Sequence, residues 1–177
     1  MAKFSLIPFD SRTQPDIMIN CELTNTNETL FISYKMTGDL ASINLGDGSS
    51  LHGRVIGLWN KTCFELFLKN KKDQYFEFNF SPTFEWNAFY FEKKGDPLTE
   101  YAAQDKIVIN VLHSLENFTL IAEIDKRHMP KDFFTSEISV GITSVIKDKK
   151  DSMSYWALSH ADQKPNFHHF ESFKCKF

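Results

Sequence analysis

The chain has 177 residues, of which 42% are hydrophobic and 18 are phenylalanine. That is enough apolar surface for one full-sized core, and it excludes a disordered chain. The formal net charge is −3, and no cluster of excess lysine and arginine marks a nucleic-acid footprint.

The first residues, Met1 to Pro8, lack the apolar run and the small-residue cleavage site of a secretory signal. No stretch nears the ~18–20 apolar residues of a membrane span. The expectation is a cytoplasmic protein with no nucleic-acid and no membrane partner. Cys21, Cys63 and Cys175 are odd in number and lack metal-ligand spacing. The first two fall in strand-like runs and read as reduced core residues. The Asn-x-Thr triplets at Asn27, Asn60 and Asn117 read as coincidences in a chain without a secretory signal.

In chain order the dominant signal is period two, the strand period. Ile17, Ile19, Cys21 and Leu23 alternate with more polar residues, as do Leu30, Ile32, Tyr34 and Met36. Asn25 to Glu28 between them reads as a hairpin turn. Three of the seven glycines fall between Leu45 and Gly53, which reads as a long surface loop. Strands are predicted over 62–69, 74–81 and 86–92, joined by short connections that imply antiparallel neighbours. After a loop over 93–105 come strands over 107–113 and 117–125. A short helical turn is predicted within 126–135, then strands over 137–146 and 152–159. The phenylalanine- and histidine-rich tail from Phe167 to Phe177 reads as an edge strand. About nine or ten short strands with no helical period predict a single all-β domain, a two-sheet antiparallel β-sandwich of jelly-roll or immunoglobulin-like type.

The three central strands have two kinds of face, because successive side chains point to opposite sides of a sheet. Phe64, Leu66 and Leu68 share one face, as do Phe76, Phe78 and Phe80; these are core. The other face is mixed, and Glu65, Tyr75, Glu77, Asn79, Trp86 and Tyr90 are assigned to it. One reading is an ordinary solvent face. The other is a ligand platform: aromatic rings cover the C–H patches of a sugar, and carboxylates and amides bond its hydroxyls.

Three ordered blocks carry a family resemblance. Gly57 to Leu68, with Arg54 just before, resembles the signature of the small bacterial DOMON-like proteins. So do Tyr75 to Pro82 with Glu85 to Ala88, and Trp156 to His160 with Lys164 to His168. Phe84 stands where that group commonly has glycine. The group is similar in turn to family-nine carbohydrate-binding modules. The resemblance implies an antiparallel β-sandwich, and ligands in the wider group are sugars or haem.

Other chemistry finds less support. The six histidines, His52, His113, His128, His160, His168 and His169, form no tight ligand spacing, although His160 and His168 could meet across a loop. Met36, Met153, His160 and His168 are available for haem ligation. No nucleophile elbow surrounds Ser81 or Ser159. Glu65 and Glu77 sit on neighbouring strands at a spacing open to glycoside hydrolysis.

The expectation is therefore a non-catalytic binding domain for a carbohydrate or small polar ligand, with no cofactor and no metal. Its expected contacts are Arg54, Trp59, Glu65, Asn79, Trp86, Tyr90 and His160. The alternative is a protein–protein interaction or homodimerisation domain.

Overall fold

The computed structural model describes residues 1–48 and 53–176. Positions 49–52 of the predicted glycine-rich loop, and the last residue of the predicted tail strand, lie outside the described residues.

The chain forms strands β1 (Ala2–Ser5), β2 (Ile7–Pro8), β3 (Ile17–Asn25), β4 (Thr29–Gly38), β5 (Gly53–Arg54), β6 (Cys63–Lys69) and β7 (Tyr75–Phe80). There follow β8 (Glu85–Phe91), β9 (Val108–His113), β10 (Asn117–Asp125), β11 (Ser139–Lys147), β12 (Met153–Ala157) and β13 (Cys175–Lys176). One sheet has the order β1-β3-β4-β10-β9. The other runs β2-β12-β11-β6-β7-β8-β5, with β13 added to β11. Every pairing is antiparallel except β5 with β8. The predicted sandwich is the observed one. The short β1, β2 and β5 were not foreseen, because two to four residues cannot show a period. Within 126–135 the expected turn is a 3-10 helix at Lys126–His128.

The five-stranded sheet follows the period-two pattern closely: β3 and β4 bury every second side chain. Their apolar residues face Phe64, Leu66, Phe76, Phe78 and Phe80 of the second sheet in one core. Burying each such phenylalanine is worth about 2–3 kcal/mol as an upper figure. Tyr34 crosses the core, and its hydroxyl donates to the Glu65 carbonyl at 2.7 Å. That bond pins β4 to β6 and satisfies a phenol that has no water to turn to.

The larger sheet differs in kind, since β6 and β7 are buried on both faces almost throughout. Its outer face carries two further apolar clusters. One gathers Phe67, Tyr75, Phe89, Phe91 and Phe173, with Trp59, Phe167 and Phe170 packed against it. The other gathers Leu58, Cys63 and Val145, with Met153 and Tyr155 alongside. The C-terminal tail supplies the cover. It folds back over the sheet and ends as β13, pairing Cys175 with Val140 and Lys176 with Ser139 of β11. The mixed face is therefore not an open solvent face.

Register corrects one expectation. Phe80 pairs with Trp86, Phe78 with Ala88 and Phe76 with Tyr90. Residues directly opposite in a ladder share a face, so Trp86 and Tyr90 point inward with the phenylalanine layer. Asn87, Phe89 and Phe91 take the outer face beside Asn79, Glu77 and Tyr75. The sequence reading had β8 turned over. The cause is the connection after Phe80. Ser81 N bonds back to Glu85 O at 2.8 Å, and Phe84 sits at φ 69°, the left-handed region that glycine favours. That closing pair puts position 86 opposite 80, so even numbers face even numbers.

Candidate functional site

The outer face of the larger sheet encloses a cavity of about 600 Å³. Glu65 and Phe67 of β6, Glu77 of β7, and Val145 and Lys147 of β11 lie along it, with Met153 and Tyr155 of β12. Trp59 and Asn60 close one side, and Pro165, Asn166, Phe167 and His168 of the tail close another. Exposed Leu98 and Asp151 stand at the rim. The volume falls in the range typical of small-molecule sites.

Each wall has a local cause. Trp59 belongs to a 3-10 turn, Leu58–Asn60, that follows Gly57 at φ 83°. Its buried neighbour Leu58 fixes the turn, and the Trp59 ring packs 6.0 Å from Phe89. His168 is held among aromatic edges, 5.4 Å from Phe67 and 5.6 Å from Phe91. Its Nδ1 lies 3.1 Å from the Tyr75 hydroxyl. Phe173 reaches the sheet over Gly141, the one β11 position on this face with no side chain.

Glu65 and Glu77 hold the chemistry. Glu65 pairs with Asn79, and Phe67 with Glu77, so the two carboxyl groups are diagonal neighbours on β6 and β7. Glu65 Oε2 accepts from the Thr143 hydroxyl at 2.9 Å. Glu77 Oε1 accepts from Asn79 Nδ2 at 2.9 Å. Glu77 Oε2 and Asn79 Oδ1 are buried without a hydrogen-bond partner. Burial, and then the charge of Glu77, pushes the Glu65 carboxyl up to about 8. Burial pushes Glu77 up to about 7 against the opposing bond from Asn79. His168 Nε2 is 3.5 Å from Glu77 Oε2. Burial, followed by the charge of Lys94, holds His168 below the usual histidine range. Burial thus pushes both groups towards their neutral forms, which weakens the contact as an ion pair.

Of the expected contacts, Trp59 and Glu65 line this cavity, and Asn79 supports it through Glu77. Tyr90 packs inward against Phe76 at 4.8 Å. Trp86 is 5% exposed and lies in the core cluster. Arg54 covers it, with Cζ 4.6 Å from the ring centroid. Arg54 also donates to Asn87 Oδ1 and the Tyr101 carbonyl, each at 3.1 Å, and to the Gln104 carbonyl. Arg54 and Trp86 line a separate cavity of about 390 Å³ with Phe84 and Ile107. His160 stands at the β2 edge, Nε2 2.9 Å from the Ile7 carbonyl, and does not meet His168. The expected constellation is thus divided among three places.

Sequence reasoning missed Phe67, Tyr155, Phe167 and His168 as cavity walls. Phe67 had a signal, since it alternates onto the face of Glu65. The tail residues had none, because a chain folding back over a sheet leaves no period.

The groups present do not suit haem. Met153 lines the cavity with His168, but both nitrogens of His168 face protein partners, His160 Nε2 faces a carbonyl, and Met36 is fully buried in the core. Among the described residues, no three His, Cys, Asp or Glu side chains gather as a metal-binding group.

A two-sheet β-sandwich with a cavity on one outer face is the class of protein that fold and site define. No protein-family model matches the chain, and no curated protein matches it by sequence. Solved structures do match in fold. One is a proposed carbohydrate-binding protein from Bacteroides uniformis, with TM-score 0.65 and 12% identity, covering 98% of this chain and 84% of that one. Two are structures of a family 9 carbohydrate-binding module from Caldicellulosiruptor kristjanssonii. The complex with glucose gives TM-score 0.51 and 9% identity, covering 82% of this chain and 69% of that one. The complex with cellotriose gives 0.52 and 8%, covering 83% and 68%. At these identities the likeness is one of fold.

Proposed function

We propose that this chain is a non-catalytic carbohydrate-binding domain whose site is the cavity over Glu65 and Glu77. One observation carries the reading. Aromatic walls, Trp59, Tyr155 and Phe167, stand around a floor that offers carboxyl oxygens, one of them without a partner. Rings that cover C–H patches and acceptors that take hydroxyl donors are what a sugar requires. The fold shared with a module solved with glucose and with cellotriose supports this. So do the three sequence blocks that resemble DOMON-like proteins.

A carboxylate-based hydrolase is the reading to weigh against it. That chemistry needs one carboxyl protonated and its partner held ionised. Here burial pushes both in the same direction. The charge of Glu77 raises Glu65 further, so the two share a proton; the binding reading is preferred on the aromatic walls and on the fold shared with binding modules.

The test is a panel of neutral and amino mono- and oligosaccharides, read by ligand-observed NMR. Binding by one sugar class, weakened at least ~10-fold in Trp59→Ala, is the expected result. A panel with no binder at millimolar concentration, or binding untouched in Trp59→Ala, overturns the reading.

A further inference from the structure

The cavity is lopsided in charge. Glu65, Glu77 and Asp151 line it against one lysine, Lys147. Lys147 Nζ is already paired with Asp151 at 3.0 Å at the rim. What remains at the floor is two buried carboxyl groups with no lysine or arginine of the described residues bonded to either.

The hydrogen bonds are lopsided too. Thr143 and Asn79 each give the pair one donor, and the Cys63 thiol gives Glu65 a further weak one. Glu77 is 4% exposed, yet its Oε2 has none. His168 Nε2, at 3.5 Å, is the nearest basic nitrogen and is poorly placed to donate. Lys94, whose charge reaches His168, is bonded to neither carboxyl, and the titratable groups nearest the pair are Cys63, Tyr75 and His168. Burial favours the uncharged form of each, so none offsets a carboxylate.

We propose that the cavity takes a sugar bearing a protonated amine, with the ammonium at Glu65 and Glu77 and the ring against Trp59 and Phe167. This rests on the carbohydrate reading above and narrows its ligand class. An ammonium brings three donors and no acceptor, whereas a hydroxyl brings one donor and lone pairs of its own. A floor short of donors is better completed by the former. The cation also offsets the charge that burial disfavours, and bonds between ionised partners are the stronger kind. The aromatic walls add attraction for a cation that a neutral sugar does not feel. An N-acetyl group removes the charge and adds a carbonyl acceptor, so it loses on both counts.

The experiment is calorimetric titration of the full chain at pH 7 with D-glucosamine, D-glucose, N-acetyl-D-glucosamine and methylamine. Glucosamine is expected to bind about tenfold or more tighter than each of the other three. In Glu77→Gln, an isosteric change that removes the acid, the ratio of glucosamine to glucose affinity is expected to fall towards one. Glucose binding as tightly as glucosamine overturns the amine while leaving the carbohydrate reading intact. Methylamine matching glucosamine overturns the sugar. Silence from all four overturns both.

Discussion

The Tyr75 hydroxyl and His168 Nδ1 lie 3.1 Å apart and fasten the C-terminal tail to β7 beneath it. Tyr75 stacks on Phe91 with ring centroids 4.3 Å apart, so its hydroxyl is aimed by packing rather than by the bond itself. Tyr75→Phe keeps the stack and removes the fastening. The expected loss is about 1 kcal/mol of stability. Amide exchange should quicken over residues 166–173 and stay unchanged in β3 and β4. Uniform quickening across both sheets would show that the bond has no local role.

The buried glutamates set a pH dependence. Both carboxyls have an ordinary value of 4.5, and burial raises them to about 8 and about 7 in the folded chain. The folded state therefore binds more protons than the unfolded one between those limits. Stability from the pair is complete below about pH 4.5 and is lost as pH rises towards 8. His168 is shifted the other way, so its share is present at neutral pH and lost on acidification below the usual histidine range. The two trends are separated by variant. Wild type minus Glu77→Gln should show a stability difference that grows from pH 5 to pH 9, to the order of 3 kcal/mol in favour of the variant. Parallel denaturation curves at both ends of that range would contradict the assignment.

What the sequence shows and what it hides divide along physical lines. Period two marks β3, β4 and β10 because one face of each meets the core and the other meets solvent. The faces of β6 and β7 were also readable, since phenylalanines and carboxylates alternate there. Trp86 and Tyr90 were placed on the wrong side because alternation within a strand says nothing of its phase against the next. That phase is set by the Ser81–Glu85 turn, where Phe84 takes a conformation glycine usually holds. The roof over Glu65 and Glu77 was hidden for a different reason. It is tertiary: Phe167 and His168 belong to an aromatic tail in sequence and form a cavity wall only after the chain doubles back.

At Gly141 the Phe173 ring of that tail rests on the sheet. A Cβ there would stand 2.7 Å from Phe173 Cδ1 and 2.8 Å from Cε1, with the Phe67 Cβ at 3.3 Å on its other side. Neither ring nor strand can give way without opening the cluster. Gly141→Ala should cost about 1–3 kcal/mol, the usual range for overpacking. Adding Phe173→Ala removes the clash. The double variant should then be more stable than the sum of the two single effects allows. Strict additivity would mean that the tail does not rest on this spot. Ligand affinity offers a second reading of the same contact, since Phe167 and His168 hang from the tail that Phe173 anchors.

Arg54 carries the sharpest test of role. It is an expected ligand contact by sequence, and in the fold it bonds the chain itself. Its guanidinium lies on Trp86 and bonds the Tyr101 and Gln104 carbonyls, holding the segment between β8 and β9 against the sheet. The Asn87 side chain extends the same network: its Oδ1 accepts from Arg54, and its Nδ2 donates to the Val55 carbonyl at 3.0 Å and to Glu100 Oε1 at 2.8 Å. A planar fork satisfies two carbonyls and a ring at once, and an ammonium does not. Arg54→Lys should therefore cost about 2 kcal/mol despite keeping the charge. Because Arg54 lines a different cavity from Glu65 and Glu77, sugar affinity in the folded variant should change less than twofold, well under 1 kcal/mol. Loss of binding without loss of stability would return Arg54 to the ligand and move the site to the Trp86 cavity.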